Sequence, residues 1–393
     1  MSYTAMPTRL YPAPHACQPQ FCEGCARFGA WYRLTGDAAT VQAKAKDLCI
    51  EQTIEFPLDL VDDPFISDHV VGQIDSVVTG PDGVSRALIS FANDDSATEL
   101  TQLLNVLFGN ISLKPGIRLE SLKDCPNLWD RFCGPRFGRD GLRSRLHAQG
   151  RALLATAVKP MGESATQLAA RAYQFARGGI DVIKDDHGLS NQPYARFEER
   201  VARCAEAVAK ANSETGYHCV YAPNVTAPAG DLEQRAQFAK SAGAGALLIA
   251  PGLTGFDAMR RLAQDDALAL PILGHPAFLG SYVTSPDQGI SPYALFGQLM
   301  RLAGADAAIY PHAGGRFAFS ADDCRAIAAG TAVPMGHLRQ SFPAPGGGMT
   351  LQRSAELKAF YGTEVMYLVG GDLLRHSPDV EKNCALFREL VEQ

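Results

Sequence analysis

The second half of the chain alternates short apolar runs with amphipathic stretches, and this alternation is the feature that most restricts the fold. The apolar runs are typical of strands buried on both faces of a parallel sheet. Eight strands are predicted from them: Ala152–Val158, Ile180–Ile183, His218–Tyr221, Ala246–Ile249, Ala269–Leu273, Ala307–Tyr310, Ser341–Ala344 and Glu364–Leu368. Eight strands separated by helices over about 240 residues predict an α/β fold with a C-terminal (β/α)8 TIM barrel. An open doubly wound sheet is the alternative, but no glycine-rich dinucleotide fingerprint supports it.

The first third of the chain predicts a smaller domain with an antiparallel sheet. Its predicted elements are a strand at Ala30–Leu34, a helix at Asp37–Lys46, strands at Ile50–Phe56, His69–Val78 and Val84–Phe91, a helix at Ala97–Phe108 and a strand at Ile111–Leu113. The turn Gly80-Pro81-Asp82-Gly83 indicates a hairpin. We therefore predict an arm at residues 1–26, a ferredoxin-like α+β domain at 27–140 and the barrel at 141–393.

Composition and charge exclude several classes of partner. The net charge of -6 and the isoelectric point near 5.9 give no indication of a basic surface that would bind nucleic acid. No apolar run is long enough to span a membrane. The first twenty residues carry prolines and polar residues where a signal peptide needs an apolar core, so we expect a cytoplasmic protein.

The ten cysteines of the chain predict reduced thiols rather than a disulfide framework, given a cytoplasmic address. One group, His15, Cys17, Cys22 and Cys25, contains a C-x-x-C spacing and is a possible zinc site. No second C-x-x-C or H-x₃-H completes it. Reduced thiols in a mobile arm are the favoured interpretation.

The run Gly178–His187 places charged residues directly after a buried strand. Lys184, Asp185, Asp186 and His187 follow an apolar stretch, and such groups are costly to bury without partners. Asp186 and His187 are candidate ligands of a divalent ion, with oxygen favouring magnesium and imidazole favouring zinc, manganese or iron. An ammonium on Lys184 would repel that ion. Either Lys184 pairs with the carboxylates and no metal binds, or its nitrogen becomes an anionic carbamate. Asp185 is interpreted as a supporting or helix-capping carboxylate.

Polar residues follow most of the other predicted strands as well. They are Lys159, Asn224, His275, His312 with Arg316, the glycines Gly347 and Gly348, and the glycines Gly370 and Gly371. Because the C-terminal ends of barrel strands meet at one mouth, we expect these groups to converge on a site. Glycines after strands seven and eight favour a phosphate site built from backbone N–H groups, although tight turns would use the same glycines.

These motifs resemble the large subunit of ribulose bisphosphate carboxylase (RuBisCO), and more closely the RuBisCO-like proteins that lack carboxylase activity. The similarity covers about residues 28 to 390, and its most specific part is the metal-site motif G-G-I-D-x-x-K-D-D at 178–186. Lys159-Pro160 and the strand-end histidines and glycines also match the family's positions.

The resemblance implies a role for each matched residue. Lys184 would be carbamylated by carbon dioxide and, with Asp186, would bind Mg²⁺. The carbamate or Lys159 would move a proton of a phosphorylated substrate. Glu51 and Asn110 match residues that cover a neighbouring subunit's site. A homodimer at minimum, with shared active sites, is therefore implied.

Several positions depart from the carboxylase pattern. The third metal ligand, a glutamate in the family, is His187 here, which leaves the metal's identity open. At other functional positions of the carboxylase, this chain carries different residues: Met161, Pro276, Phe319, Gly346 and the pair Phe56-Pro57. The cationic grip on a second phosphate and the mobile loop lysine are among those lost. Carbon dioxide fixation is therefore not expected.

The remaining site fits a substrate with one phosphate and a less charged far end. The resemblance to RuBisCO-like proteins, which act on such molecules, then favours metal-dependent enolisation by an isomerase acting on a 5-methylthioribulose 1-phosphate-like ketose. A decarboxylase or lyase of a phosphorylated 3-oxo sugar acid and a non-catalytic sugar-phosphate-binding module are the alternatives. The family's enolases carry a lysine where this chain has Asn110, which disfavours that activity. Arg316 is a candidate replacement for the lost cationic grip, or a surface arginine.

Overall fold

The structure of the protein, a computed structural model, describes residues 27–96, 99–123, 126–315, 317 and 319–392. Arg316 and the proposed zinc group of His15, Cys17, Cys22 and Cys25 lie outside the described residues. Thirteen strands lie within those ranges: β1 Arg27–Leu34, β2 Gln73–Thr79, β3 Ser85–Ala92, β4 Ile117–Leu122, β5 Leu153–Val158, β6 Val182–Asp185, β7 Val220–Ala222, β8 Leu247–Ile249, β9 Ile272–Gly274, β10 Gly289–Ile290, β11 Ala307–Pro311, β12 Phe342–Gly346 and β13 Met366–Leu368.

The N-terminal strands form an antiparallel sheet in the order β4-β1-β3-β2. Helix Ala38–Glu51 follows β1 and helix Leu100–Phe108 precedes β4, which gives the βαββαβ order of ferredoxin-like domains. Asp37 caps the first helix by accepting a hydrogen bond from the Thr40 N–H at 2.8 Å. The predicted α+β class of this domain is confirmed.

Two predicted strands of this domain are wrong. Ile50–Phe56 alternates like a strand, but the first helix continues to Glu51, and the Ile50 carbonyl accepts the N–H groups of the turn that follows. The side chain of Gln52 then bonds to Asn105 O, Val106 O and the Ile111 N–H, contacts that lie more than 50 residues away in the chain. Asn110–Leu113 is a 3₁₀ turn, and the last strand of the domain starts at Ile117.

The second sheet is a parallel barrel in the order β7-β6-β5-β13-β12-β11-β9-β8. Leu248 closes it, because its N–H donates to Pro223 O and its carbonyl accepts the Val225 N–H, both at 2.9 Å. Each of the eight predicted barrel strands overlaps an observed strand, so the predicted (β/α)8 class is confirmed.

Helices separate the barrel strands and cover the outside of the sheet. They are Ala165–Arg177, Phe197–Thr215, Leu232–Ser241, Phe256–Gln264, the π-helical turn Tyr293–Leu299 with Met300–Leu302, Ala321–Ala332, Ser354–Tyr361 and the closing helix Val380–Glu392. Shorter helical segments are Asn93–Ser96, Pro126–Trp129, Pro251–Thr254, Gly280–Val283 and Asp372–Arg375, and helix Gly138–Leu146 leads into the barrel. Ser164 begins the first barrel helix with a complete capping box.

The two domains are linked by β10, a strand of the barrel domain that joins the sheet of the N-terminal domain. β10 belongs to the barrel half of the sequence, yet it pairs in parallel with β4 of the N-terminal sheet. Close by, Gln298 bonds both backbone groups of Leu122, at 2.7 Å and 2.9 Å. The smaller sheet is thus completed by the larger domain.

A charged cluster at the N-terminal end of the barrel, here called the barrel floor, consists of Arg151, Asp181 and Arg388. The Asp181 carboxylate accepts from Arg151 at 2.6 Å and 2.8 Å, from Arg388 at 2.9 Å and from the Leu154 N–H at 2.8 Å. Every charge of the floor is therefore matched by a partner.

Candidate active site at the barrel mouth

Lys184 lies on β6 with its side chain at the C-terminal mouth of the barrel. It is 3% exposed, and its Nζ donates one hydrogen bond, to the Asp185 carbonyl at 3.1 Å. Burial lowers the pKa of Lys184 to about 8; the Asp186 carboxylate opposes this shift and the nearby Lys159 ammonium adds to it. Near neutral pH this amine therefore exchanges readily between its charged and neutral forms.

Asp185 serves the fold rather than the mouth. Its buried carboxylate accepts from Arg200 Nε at 3.1 Å, the Tyr221 hydroxyl at 2.6 Å and the Asn224 N–H at 3.0 Å. With these three donors it anchors β6 to its neighbours and has little capacity for a ligand. Its interpretation as a supporting carboxylate is confirmed.

Asp186 and His187 face the solvent side of Lys184. Asp186 Oδ1 accepts the Gly188 N–H at 3.0 Å, whereas Oδ2 accepts no hydrogen bond from any described residue. The His187 ring is 53% exposed and stacks on His275, with ring centroids 4.5 Å apart and planes tilted by 14°. A free carboxylate oxygen and an open imidazole edge are thus available next to the buried amine.

His275 follows β9 and is held in one orientation. Its Nδ1 accepts the Ala277 N–H at 3.1 Å, so the neutral ring carries its proton on Nε2. Burial, with the Lys184 ammonium and His187 adding to it, lowers the pKa of His275 to about 2. His275 is therefore a neutral hydrogen-bond donor and not a cation at ordinary pH.

His312 follows β11 in a more polar environment. Its Nδ1 lies 2.9 Å from the Tyr361 hydroxyl and its Nε2 lies 3.5 Å from Arg353 Nη2. Burial lowers the pKa of His312, and the neighbouring Arg353 guanidinium lowers it further. Arg353 is a site-proximal cation that the sequence patterns did not single out.

The two glycine clusters present open backbone at the mouth. Gly347 and Gly348 have φ of 91° and 70°, a region that glycine occupies without strain. The N–H groups of Gly347, Gly348, Gly370 and Gly371 donate no hydrogen bond to any described residue. Lys159 Nζ lies 3.5 Å from the position a Cβ on Gly370 would occupy, so the predicted strand-one lysine and strand-eight glycines are together.

Glu51 and Asn110 are brought together with each other but not with the mouth of their own chain. Asn110 Nδ2 donates to Glu51 Oε1 at 3.3 Å, and Lys114 pairs with Glu51 Oε2 at 3.1 Å. Among the described residues, all their side-chain hydrogen bonds stay within the N-terminal domain. Their assignment to the site thus depends on a second chain.

The mouth can satisfy a metal ion only with help from Lys184. Within the described ranges, no three side chains of His, Cys, Asp and Glu converge as ligands. Asp186 Oδ2 and the open edge of His187 supply two candidate ligands. An anionic carbamate on the buried Lys184 nitrogen would supply the third, so the residues fit a divalent ion in that form.

Within the described residues, neither disulfide partners among the cysteines nor membrane spans among the longer helices are seen. The six cysteines in the described part of the chain, Cys49, Cys133, Cys204, Cys219, Cys324 and Cys384, are free thiols. Among the helices described, none is long and apolar enough to cross a bilayer.

Comparison with known proteins agrees with this fold and site. The family model for the ribulose bisphosphate carboxylase large chain, catalytic domain, matches residues 139–381. The chain is 37% identical over 358 residues to ribulose bisphosphate carboxylase-like protein 1 of Rhodopseudomonas palustris, covering 91% of this chain and 95% of that protein. The chain therefore belongs to the ribulose bisphosphate carboxylase large-chain family.

Within the family, the similarity is to RuBisCO-like proteins, as the sequence motifs predicted. The crystal structure of a Rubisco-like protein from Rhodopseudomonas palustris matches with a TM-score of 0.84 and 36% identity, covering 93% of this chain and 98% of that chain. The 5-methylthioribulose-1-phosphate isomerase of Rhodospirillum rubrum is 36% identical over 362 residues, covering 92% of this chain and 95% of that protein.

Proposed function

We propose that the protein is an isomerase that enolises a phosphorylated ketose of the 5-methylthioribulose 1-phosphate type and does not fix carbon dioxide. The observation that carries the proposal is the buried Lys184 amine, which lies at the mouth beside His275 and within electrostatic reach of Lys159. The name of the Rhodospirillum rubrum relative supports this substrate class. The replacements at Met161 and Pro276 support a substrate whose far end is not a second phosphate.

The phosphate of the substrate binds at the two glycine clusters. Their four N–H groups have no partner among the described residues, and such donors at strand ends suit phosphoryl oxygens. Lys159, which lies against Gly370, adds a further N–H donor on one side. This arrangement fixes one end of the substrate and directs its carbonyl carbons toward Lys184.

The chain's own residues handle the proton and the developing negative charge. His275 Nε2 donates a hydrogen bond to a substrate oxygen, because its Nδ1 already accepts from Ala277. Lys159 Nζ takes the proton from the hydroxyl-bearing carbon beside the carbonyl and delivers it to the former carbonyl carbon. The hydroxyl proton passes to the former carbonyl oxygen, and the carbonyl thereby moves one position along the chain. General acid–base groups of this kind contribute roughly 10²- to 10⁴-fold in rate.

A divalent ion, Mg²⁺ or another metal that accepts imidazole, would be held by the Lys184 carbamate, Asp186 and His187. When bound, such an ion acts as a Lewis acid on the substrate oxygens. Carbon dioxide reacts with the neutral amine, and the lowered pKa of Lys184 supplies that form near pH 8. The amine loses its proton as the carbamate forms.

Glu51 and Asn110 complete the site of a partner chain in a homodimer or larger assembly. Next to Glu51, a segment of the N-terminal domain exposes Phe56, Leu58, Leu60 and Phe65 by 43% to 62%. Grouped apolar side chains of this kind mark contact surfaces. Pairing with a second copy would cover them and bring Glu51 to the neighbouring mouth.

Proton exchange tests the proposal directly. The protein is incubated in D₂O with 5-methylthioribulose 1-phosphate, Mg²⁺ or Mn²⁺ and bicarbonate, and followed by ¹H NMR. We expect deuterium to replace the proton beside the carbonyl, and Lys184→Met to slow this exchange roughly 10²- to 10⁴-fold. Lys210→Met, at an exposed helix position, is the matched control and should exchange like the wild type. Tight binding of ketose phosphates without any exchange would indicate a binding module instead.

A further inference from the structure

Arg353 bridges two loops of the barrel mouth. It ends the short turn Leu351–Arg353, which follows the glycines after β12. Its Nη1 donates to Gly348 O at 3.2 Å, and its Nη2 lies 3.5 Å from His312 Nε2 on the loop after β11. A Cβ on Gly314 would lie 3.6 Å from Nη1. The guanidinium therefore lies between the β11 loop and the first glycine cluster.

The second edge of the guanidinium is held by Glu356. Arg353 Nε and Nη2 donate to the two carboxylate oxygens at 2.9 Å and 2.7 Å. Arg353 is 29% exposed and Glu356 60% exposed, so this pair contributes little to stability. Its main physical effect is to restrict the orientation of the guanidinium, with Nη1 directed at the glycine backbone.

The charge of a phosphate ester calls for more than backbone donors. Such a group carries a charge between about -1.5 and -2 near neutral pH. The glycine N–H groups are neutral, and Lys159 lies at the Gly370 side of the mouth. Arg353 lies at the Gly348 side and supplies a permanent positive charge there, whereas Lys159 is engaged in the proton transfer. The planar fork of arginine fits phosphoryl oxygens in a bidentate manner, which a lysine cannot do.

We propose that Arg353 is a substrate-binding residue that grips the phosphate at Gly347 and Gly348, and that Glu356 holds its guanidinium until the phosphate replaces that carboxylate. The inference rests on the proposed function only for the presence of a phosphate on the substrate. The Arg316 hypothesis concerns the far end of the substrate and stays a separate prediction.

Binding of inorganic phosphate, measured by titration calorimetry on the full-length protein, tests the proposal. Arg353→Met removes the charge and keeps a similar length, and we expect its Kd to rise roughly 10- to 100-fold, as for a lost charge-assisted hydrogen bond. Arg353→Lys should fall between the wild type and Arg353→Met. The control Arg325→Met removes an exposed arginine from a nearby helix, and its Kd should stay within about twofold of the wild type.

Glu356→Gln separates a binding role from a structural one. If Arg353 only braces the two loops, releasing its carboxylate partner should loosen them and weaken phosphate binding relative to the wild type, and that result would overturn the proposal. If Arg353 binds the anion, removing the competing carboxylate should leave the Kd unchanged or make binding tighter. This comparison remains decisive even where Arg353→Met fails to fold.

Failure of this inference is distinguishable from failure of the proposed function. Loss of phosphate binding in Arg353→Met without any proton exchange in the wild type would leave Arg353 as an anion-binding residue and reject the isomerase. Exchange in the wild type, with phosphate Kd and KM both unchanged in Arg353→Met, would reject Arg353 alone.

Discussion

The floor and the mouth of the barrel both carry buried charge, but only at the floor is each charge balanced. Asp181 at the floor accepts four hydrogen bonds, two of them from one bidentate arginine. Lys184 at the mouth makes one, to a neutral carbonyl, and four glycine N–H groups near it make none with described residues. Saturated charges hold a structure together, whereas unsaturated ones are available to a ligand.

The same contrast separates two neighbours in the sequence. Asp185 and Asp186 are adjacent aspartates, and composition alone cannot distinguish them. The side chain at 185 points into the packing around Arg200, while Asp186 keeps one carboxylate oxygen without a described partner. The direction in which each side chain leaves the strand, more than the residue type, decides which carboxylate is available to a ligand.

Replacing Lys184 by Met should produce the largest effect and confine it to the mouth. We expect proton exchange to fall roughly 10²- to 10⁴-fold, because the variant loses the nitrogen that would carry the carbamate and, with it, one ligand of the divalent ion. The thermal midpoint should stay equal or rise, since a buried ammonium with one hydrogen bond is replaced by an apolar side chain of similar size. A much lower thermal midpoint would contradict this prediction, because it would mean that Lys184 stabilises the fold as the floor residues do.

Replacing Asp181 by Ala should show the opposite behaviour. The change leaves Arg151 without its anion and leaves Arg388 with Glu392 alone, so the free energy of unfolding should fall by roughly 3–5 kcal/mol in urea titrations. The rate per folded molecule should be unchanged. Asp322→Ala, which removes a 92% exposed carboxylate paired with Arg325, is the control and should cost less than about 1 kcal/mol. If Asp181→Ala lowered the free energy of unfolding by an equally small amount, the floor would not differ from the mouth in its contribution to stability.

The pH dependence of stability provides a finer test at Lys184. Its pKa is about 8 in the folded protein and near 10.5 when unfolded, so between these values the unfolded chain binds the extra proton. Stability relative to Lys184→Met should therefore rise by about 2 kcal/mol from pH 7 to pH 10 and stay flat below pH 7. The measurement is urea unfolding in bicarbonate-free buffer, because carbamylation would consume the free amine. A flat difference across the range would mean that the ammonium is not desolvated.

Glu51 tests whether the mouth extends into a second chain, and its effect on stability is the smallest. Glu51→Gln weakens an accessible pair with Lys114 and should change unfolding by less than about 1 kcal/mol. Proton exchange should nevertheless fall. Co-expressed Glu51→Gln and Lys184→Met chains should regain about a quarter of wild-type activity, because half the dimers are mixed and each mixed dimer has one intact site. No recovery would place each complete site within one chain.

The sequence predicted the barrel better than the smaller domain, for a physical reason. Parallel barrel strands are buried on both faces, so they read as apolar runs that few other elements imitate. In the smaller domain, the alternation at Ile50–Phe56 imitated a strand, and long-range hydrogen bonds of Gln52 decided otherwise. The local sequence pattern predicts the wrong element where hydrogen bonds to residues far away in the chain determine the backbone conformation.

The candidate site shows the same division. The strand-end positions of Lys159, Lys184 and His275 followed from the fold class, because every barrel strand delivers its C-terminal end to one mouth. Arg353 lies beyond a strand end, in a turn, and its relation to His312 spans 41 residues of sequence. No periodicity or spacing could have indicated that contact.

The exchange of β10 into the smaller sheet has a consequence for how the chain can be divided. A fragment ending near residue 140 would lack β10 and Gln298, and β4 would keep one row of backbone groups uncovered. Uncovered strand edges recruit strands from other molecules, so such a fragment should aggregate during expression. Supplying the remaining residues as a second polypeptide should restore its solubility. The smaller domain is therefore not an independent unit, because β10 and Gln298 of the larger domain cover its edge.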